Sequence, residues 1–205
     1  MTLRIALLGS PVSGSPSPAM HRAAAAEAGV DLVYEPIDVR LPDLARRLRE
    51  LRRTHHGLNV TRPLKHAVLG LLDEVAPSAR HAGSVNTVVL RGGTATGHST
   101  DGPGFLAALR RAGVPASGHA VVLGAGGAAR AVAWALRDAG ARVTLVGRNE
   151  APTRRVAEAL GIDAAADLTV ALDTADLLVN ATPIGGEVPG DPLPPDTPLP
   201  PVVFD

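Results

Sequence analysis

At 205 residues the chain has room for one large domain or two small ones. Its 45% hydrophobic and 20% charged residues suit a globular protein, and 20 basic against 20 acidic side chains give a formal net charge of zero. That balance removes the broad electrostatic case for a nucleic-acid or anionic-membrane partner. The absence of cysteine removes disulfides, thiolate metal sites and a cysteine nucleophile. No apolar run reaches the roughly 18 residues of a membrane span, and the apolar stretch after Met1 is too short for a signal peptide. A cytoplasmic location, without a membrane or nucleic-acid partner, is expected.

In chain order, residues 3–8 predict a strand and 18–28 a helix ended by Gly29. A second strand is expected over 32–37. Leu44, Leu48 and Leu51 recur at helical spacing among arginines, which predicts an amphipathic helix over 41–53. A short strand follows at 58–61, and Pro63 is placed to open a helix. Residues 85–90 and 94–97 flank Arg91-Gly92-Gly93 and predict a hairpin. Residues 101–112 predict a helix ended by Gly113, and this helix is the expected hinge.

A second unit begins with a buried strand at 120–123, then Gly124-Ala125-Gly126-Gly127-Ala128 and a helix to about Ala139. Strands are expected at 142–146 and 176–179, with a helix at 153–160 between them. Residues 183–201 are rich in Pro and Gly and predict a long loop before Val202-Val203-Phe204, a further strand. Alternating β and α elements imply parallel sheets. The fold class is therefore α/β in two domains, with 1–101 as the first and 102–205 as a Rossmann-like second.

The glycine-rich turn lies between a strand and a helix, as a dinucleotide site requires: glycines let backbone approach a pyrophosphate, and the helix N-terminus supplies donors. After the next strand, Arg148 stands where NAD-preferring sites carry an acid. An arginine there suits a 2′-phosphate and so NADP, although Glu150 lies slightly later. The alternative is an ordinary surface arginine.

Lys65 is the single lysine, against 19 arginines. Arginine stays protonated at any working pH, whereas a lysine can release its proton. If a cationic side chain moves a proton here, Lys65 is the candidate. Asp101 is either a helix cap or a carboxylate that holds and assists that ammonium. Ser13, Ser15 and Ser17 alternate with Gly and Pro before a helix: either a carboxylate cradle or a proline-stiffened loop with capping serines.

Six segments, in order, resemble the shikimate dehydrogenase family: Ser15-Pro16-Ser17-Pro18-Ala19-Met20-His21, Asn59-Val60-Thr61-Arg62-Pro63-Leu64-Lys65, Gly83-Ser84-Val85-Asn86-Thr87-Val88, Thr100-Asp101-Gly102-Pro103-Gly104, Gly124-Ala125-Gly126-Gly127-Ala128-Ala129-Arg130 and Asn180-Ala181-Thr182-Pro183-Ile184-Gly185. The resemblance implies NADPH-linked reduction of 3-dehydroshikimate to shikimate in aromatic amino-acid biosynthesis, by a monomer or homodimer with no metal. It implies that Ser15, Ser17 and Thr61 bind the substrate carboxylate and that Asn59, Asn86 and Asp101 hold ring hydroxyls. Lys65 and Asp101 form the catalytic pair. The cofactor set is Gly124, Ala125, Gly126, Gly127, Ala128, Arg148, Asn149 and Thr182, and the substrate lies in an interdomain cleft.

Departures from the pattern are Ser99 before Thr-Asp, where the family has Asn, and Gly186, where it has Met near the nicotinamide. Family members also continue beyond this length and return a glutamine-bearing helix to the first domain, so a C-terminally truncated chain is expected. Alternatives are a quinate/shikimate enzyme with broader substrate or NAD use, and a nucleotide-binding relic. A methylenetetrahydrofolate dehydrogenase-like protein is opposed by the Ser-Pro-Ser-Pro and Asn-Val-Thr segments.

Overall fold

The computed structural model describes residues 1–185 and 188–204, so the departure noted at Gly186 lies outside the described residues. The chain divides into two compact units, Met1–Thr100 and Asp101–Asp205.

The first unit is built on a six-stranded sheet. Its strands are β1 (Leu3–Gly9), β2 (Leu32–Asp38), β3 (Gly57–Val60), β4 (Glu74–Val75), β5 (Thr87–Arg91) and β6 (Thr94–His98), in the spatial order β2-β1-β3-β5-β6-β4. Strands β2, β1 and β3 run parallel, but β5 is antiparallel to both β3 and β6. The sheet is mixed rather than parallel throughout because β5 and β6 form a tight hairpin. Gly92 and Gly93 both sit at positive φ in its turn, and strands joined by two residues must run antiparallel.

Three α-helices cover this sheet: α1 (Ser17–Glu27), α2 (Leu44–Leu51) and α3 (Pro77–Ala82). The predicted helix over 41–53 splits, with Pro42 in a 3-10 turn at Leu41–Asp43 and regular α2 after it. Leu44, Leu48 and Leu51 of α2 pack onto Leu8, Leu58, Val60 and Val88 from the sheet. Each leucine so buried contributes about 2 kcal/mol.

Pro63 does not open an α-helix. The carbonyl of Lys65 accepts from Val85 N at 2.8 Å, and Leu69 N turns to His66 O instead of completing an α-turn. The segment becomes a 3-10 helix, Ala67–Leu71. The sequence reading also omitted β4 and α3, both too short to show a period.

The second unit contains α4 (Asp101–Arg111), β7 (His119–Leu123), α5 (Gly127–Asp138), β8 (Arg142–Val146), α6 (Glu150–Leu160), β9 (Asp163–Ala165), α7 (Leu168–Leu172), β10 (Leu177–Asn180) and β11 (Val202–Phe204). Its sheet has the order β11-β10-β7-β8-β9, with every neighbouring pair parallel. Central β7 is buried along its whole length, as a parallel strand covered on both faces must be. Alanines at 129, 131, 133 and 135 let α5 lie close to its neighbours. A Cβ on Gly102 of α4 would stand 2.8 Å from Ala131 O, so this glycine permits the α4–α5 approach. Asp167 caps α7 by accepting from Thr169 N at 2.8 Å. Among the described residues no helix is long and apolar enough to cross a membrane.

Candidate active site

In the first unit, chemistry gathers where the parallel strands β1 and β3 end, the edge at which α/β sheets bind ligands. Gly9 closes β1 against Thr61: a Cβ at Gly9 would collide with the Thr61 methyl and stand 2.9 Å from Arg62 O. Thr61 N donates to Leu8 O at 2.7 Å, which fixes the chain as it leaves β3. Half-buried Lys65 follows, held through its carbonyl by Val85.

Antiparallel pairing places Thr87 opposite Asn59. Asn59 Nδ2 reaches Asn86 O and Thr87 Oγ1, each at 3.4 Å, and Thr87 Oγ1 donates to Asn86 Oδ1 at 2.9 Å. Asn86 Nδ2 donates to Thr100 Oγ1 at 2.9 Å. On the other side, Asn59 Oδ1 accepts from the Tyr34 hydroxyl at 2.8 Å. Tyr34 stacks on His21 of α1, with ring centroids 4.6 Å apart. Burial pushes the Tyr34 phenol up to about 12, and the Ser17 side chain acts against that rise. Ser17 Oγ accepts from Ser15 Oγ at 3.1 Å, and Ser17 N donates to Ser15 Oγ at 3.3 Å.

Asn59 and Asn86 therefore join one polar network, and three residues to which the sequence assigns no role complete it: Tyr34, Thr87 and Thr100; Ser15 and Ser17 form a separate pair. A signal for Tyr34 was present, since it is the only tyrosine in the chain.

The second unit places Asp101 as the first residue of α4. Its sheet reverses direction at β7: the chain runs outward through β8 and β9, then returns to β10 on the other flank. Ligands bind at such a switch point. Gly124, at φ +109°, ends β7 there, and a Cβ on it would meet Ala181 O at 3.2 Å and Thr182 Cγ2 at 3.4 Å. Thr182 is held by Asn180 Oδ1, which accepts from its N at 3.0 Å and its Oγ1 at 2.7 Å. Around Gly126, the N-cap of α5, the space is open, with nothing within 4 Å of a built Cβ.

Ala125 precedes that cap, and Gly127 and Ala128 form the first turn of α5. Partial burial lowers the pKa of Arg130, on the same turn. Glycine turn, open space and a half-buried cation fit a dinucleotide pyrophosphate.

Gly124 N donates to Val146 O at 2.8 Å, tying the turn to the end of β8, where Gly147, Arg148 and Asn149 follow. A Cβ at Gly147 would collide with Thr153 Oγ1, which donates to Asn149 O at 2.8 Å. Arg148 is exposed and Asn149 precedes α6. The nearby acid, Glu150, pairs with Arg154 one helical turn on. Among the described residues no group of three or more His, Cys, Asp or Glu side chains is placed to hold a metal.

A glycine turn at the switch point of a parallel sheet is the arrangement of Rossmann-like dinucleotide-binding units, and the second unit has it. The family described as the shikimate dehydrogenase substrate binding domain matches residues 7–88. The shikimate dehydrogenase (NADP(+)) of Thermus thermophilus is 49% identical over 193 residues, covering 94% of this chain and 73% of that protein. The corresponding Symbiobacterium thermophilum protein is 45% identical over 201 residues, covering 89% and 67%. A crystal structure of the Thermus thermophilus shikimate 5-dehydrogenase in complex with NADP(H) and shikimate superposes with a TM-score of 0.89 at 47% identity, covering 97% of this chain and 75% of that one. The chain belongs to the shikimate dehydrogenase family.

Proposed function

We propose that this protein reversibly reduces 3-dehydroshikimate to shikimate with NADPH, as a cytoplasmic step of aromatic amino-acid biosynthesis. Family membership supports the reaction, and the Tyr34–Asn59–Thr87–Asn86–Thr100 network is the observation that carries it to these residues. It sets hydroxyl and amide groups at the strand ends, where a polyhydroxylated ring acid needs them. Residues 1–101 form the substrate domain and 102–205 the NADP domain.

Ser15, Ser17 and Thr61 bind the carboxylate; Asn59 and Asn86 orient the ring hydroxyls. NADPH, when bound, supplies hydride to the ketone carbon. Negative charge then grows on the ketone oxygen. The Lys65 ammonium stabilises that oxygen and delivers its proton from Nζ, and Asp101 shares in the transfer. The turn at Gly124, Ala125, Gly126, Gly127 and Ala128 takes the pyrophosphate on backbone donors. Arg148 and Asn149 take the 2′-phosphate side of the adenosine, and Thr182 borders the nicotinamide half. Salt-bridged Glu150 is paired with a cation, which lessens its repulsion of that phosphate.

The test is to mix the protein with NADP and shikimate and follow the absorbance of reduced nicotinamide. A shikimate-dependent rise supports the assignment. No rise, together with no detectable shikimate binding by calorimetry, overturns it.

A further inference from the structure

The Tyr34 phenol crosses from the outer strand β2 over β1 to reach β3, two strands away. It is 2% exposed, packed with Leu7 and Val12, so it has no direct access to a bulky ligand. Its hydroxyl hydrogen goes to Asn59 Oδ1 at 2.8 Å.

An asparagine amide has a donor end and an acceptor end of nearly the same shape. Around Asn59 the acceptors Asn86 O and Thr87 Oγ1 lie on the Nδ2 side, both at a long 3.4 Å. Such contacts are weak. The short bond from Tyr34 is therefore the stronger constraint on which end faces which way. Reversing the amide would leave the buried Tyr34 hydroxyl hydrogen facing Nδ2, which accepts nothing, and would set Oδ1 against the Asn86 carbonyl.

We infer that Tyr34 is a positioning residue for the substrate: its hydroxyl sets the polarity of the Asn59 amide. This rests on the assignment of Asn59 to the substrate. Tyr34 touches no reacting atom, so its loss weakens recognition of the ring acid and leaves the chemical step and the nucleotide site intact.

Tyr34→Phe keeps the buried ring and removes the hydroxyl. With one buried hydrogen bond lost, the shikimate KM and calorimetric Kd rise about tenfold, while kcat and the NADP KM stay at wild-type values. A purely structural tyrosine would lower Tm and alter all parameters together. The Asn59→Ala background separates the two. If Tyr34 acts through Asn59, Tyr34→Phe adds nothing to the shikimate KM of Asn59→Ala. An unchanged shikimate KM and Kd in Tyr34→Phe, or the same tenfold increment in both backgrounds, overturns the inference while the proposed reaction stands. A wild-type protein that neither turns over nor binds shikimate overturns both.

Discussion

Asn86 and Thr100 grip each other from both ends of the asparagine amide. Nδ2 donates to Thr100 Oγ1 at 2.9 Å, and Oδ1 accepts from Thr100 N at 3.0 Å. Asn86 N in turn donates to His98 O at 3.0 Å, so the pair closes a loop across β5 and β6. Asp101 is the next residue in the chain, so the residue that precedes this carboxylate is held by Asn86.

Thr100→Val keeps size and branching but loses the hydroxyl, leaving only the backbone bond to Asn86. A neutral hydrogen bond is worth ~1–1.5 kcal/mol, so kcat/KM for shikimate falls about fivefold to tenfold. The NADP KM stays constant. Steady-state kinetics with each substrate varied in turn checks both.

Substitution of the single lysine is more severe. Loss of a positioned proton donor lowers rates by roughly 100- to 10,000-fold, so Lys65→Ala abolishes useful turnover while shikimate still binds. Lys65→Arg fails as well, because a guanidinium keeps charge without releasing a proton at working pH. Full turnover in Lys65→Arg excludes proton transfer by this residue. Parallel assays of turnover and calorimetric binding separate the two effects.

The second unit is largely legible in the sequence. Gly124 through Ala128 sits between an apolar strand and a helix, and each of those signals is local in sequence. The parallel sheet follows from the same alternation. The first unit is less legible because its order depends on pairings between distant segments. Pro63 carries a sound local helix signal, yet the bond between Lys65 O and Val85 N overrides it. Tyr34 escapes for the same reason: nothing near residue 34 announces a bond to residue 59, and its apolar and polar roles separate only once β1 lies between them. The short β4, α3, β9 and α7 lack enough residues for a period, although Asp167 ahead of Leu168 is a readable cap.

Two glycines of the turn after β7 should respond differently to the same methyl group. Gly124 lies at φ +109° with Ala181 O 3.2 Å from a built Cβ, so Gly124→Ala costs ~1–3 kcal/mol of stability. Gly126 has φ −79° and open space, so Gly126→Ala folds as the wild type does. Its methyl instead occupies the volume assigned to the pyrophosphate and raises the NADP KM. Thermal melts paired with cofactor titrations distinguish a folding glycine from a binding glycine.

Cofactor choice isolates Arg148. A hydrogen bond to a charged group contributes ~1.5–3 kcal/mol, so Arg148→Ala lowers kcat/KM for NADP by roughly tenfold to hundredfold. NAD has no 2′-phosphate, and its kcat/KM is unchanged. Equal losses with both nucleotides remove Arg148 from the phosphate site.

His55 should give the fold an acid limit far from the ligand groups. It is nearly buried, with Nδ1 on Thr54 Oγ1 at 2.9 Å and Nε2 at 3.9 Å from Glu35 Oε2. Burial holds its pKa below the ordinary 6.5; Glu35 opposes that effect, while Arg4 and His56 reinforce it. The unfolded chain takes up a proton as pH falls through 6.5, whereas the folded protein resists until its lower pKa is reached. Proton uptake by the unfolded state alone lowers stability across that window, and above it His55 makes no difference to the slope. His55→Gln removes the titration but retains a polar side chain beside Thr54. Urea melts at a series of pH values from neutral to mildly acidic should show a decline below 6.5 in the wild type that is shallower in His55→Gln. Parallel curves for the two proteins through that range would assign the acid sensitivity to other groups.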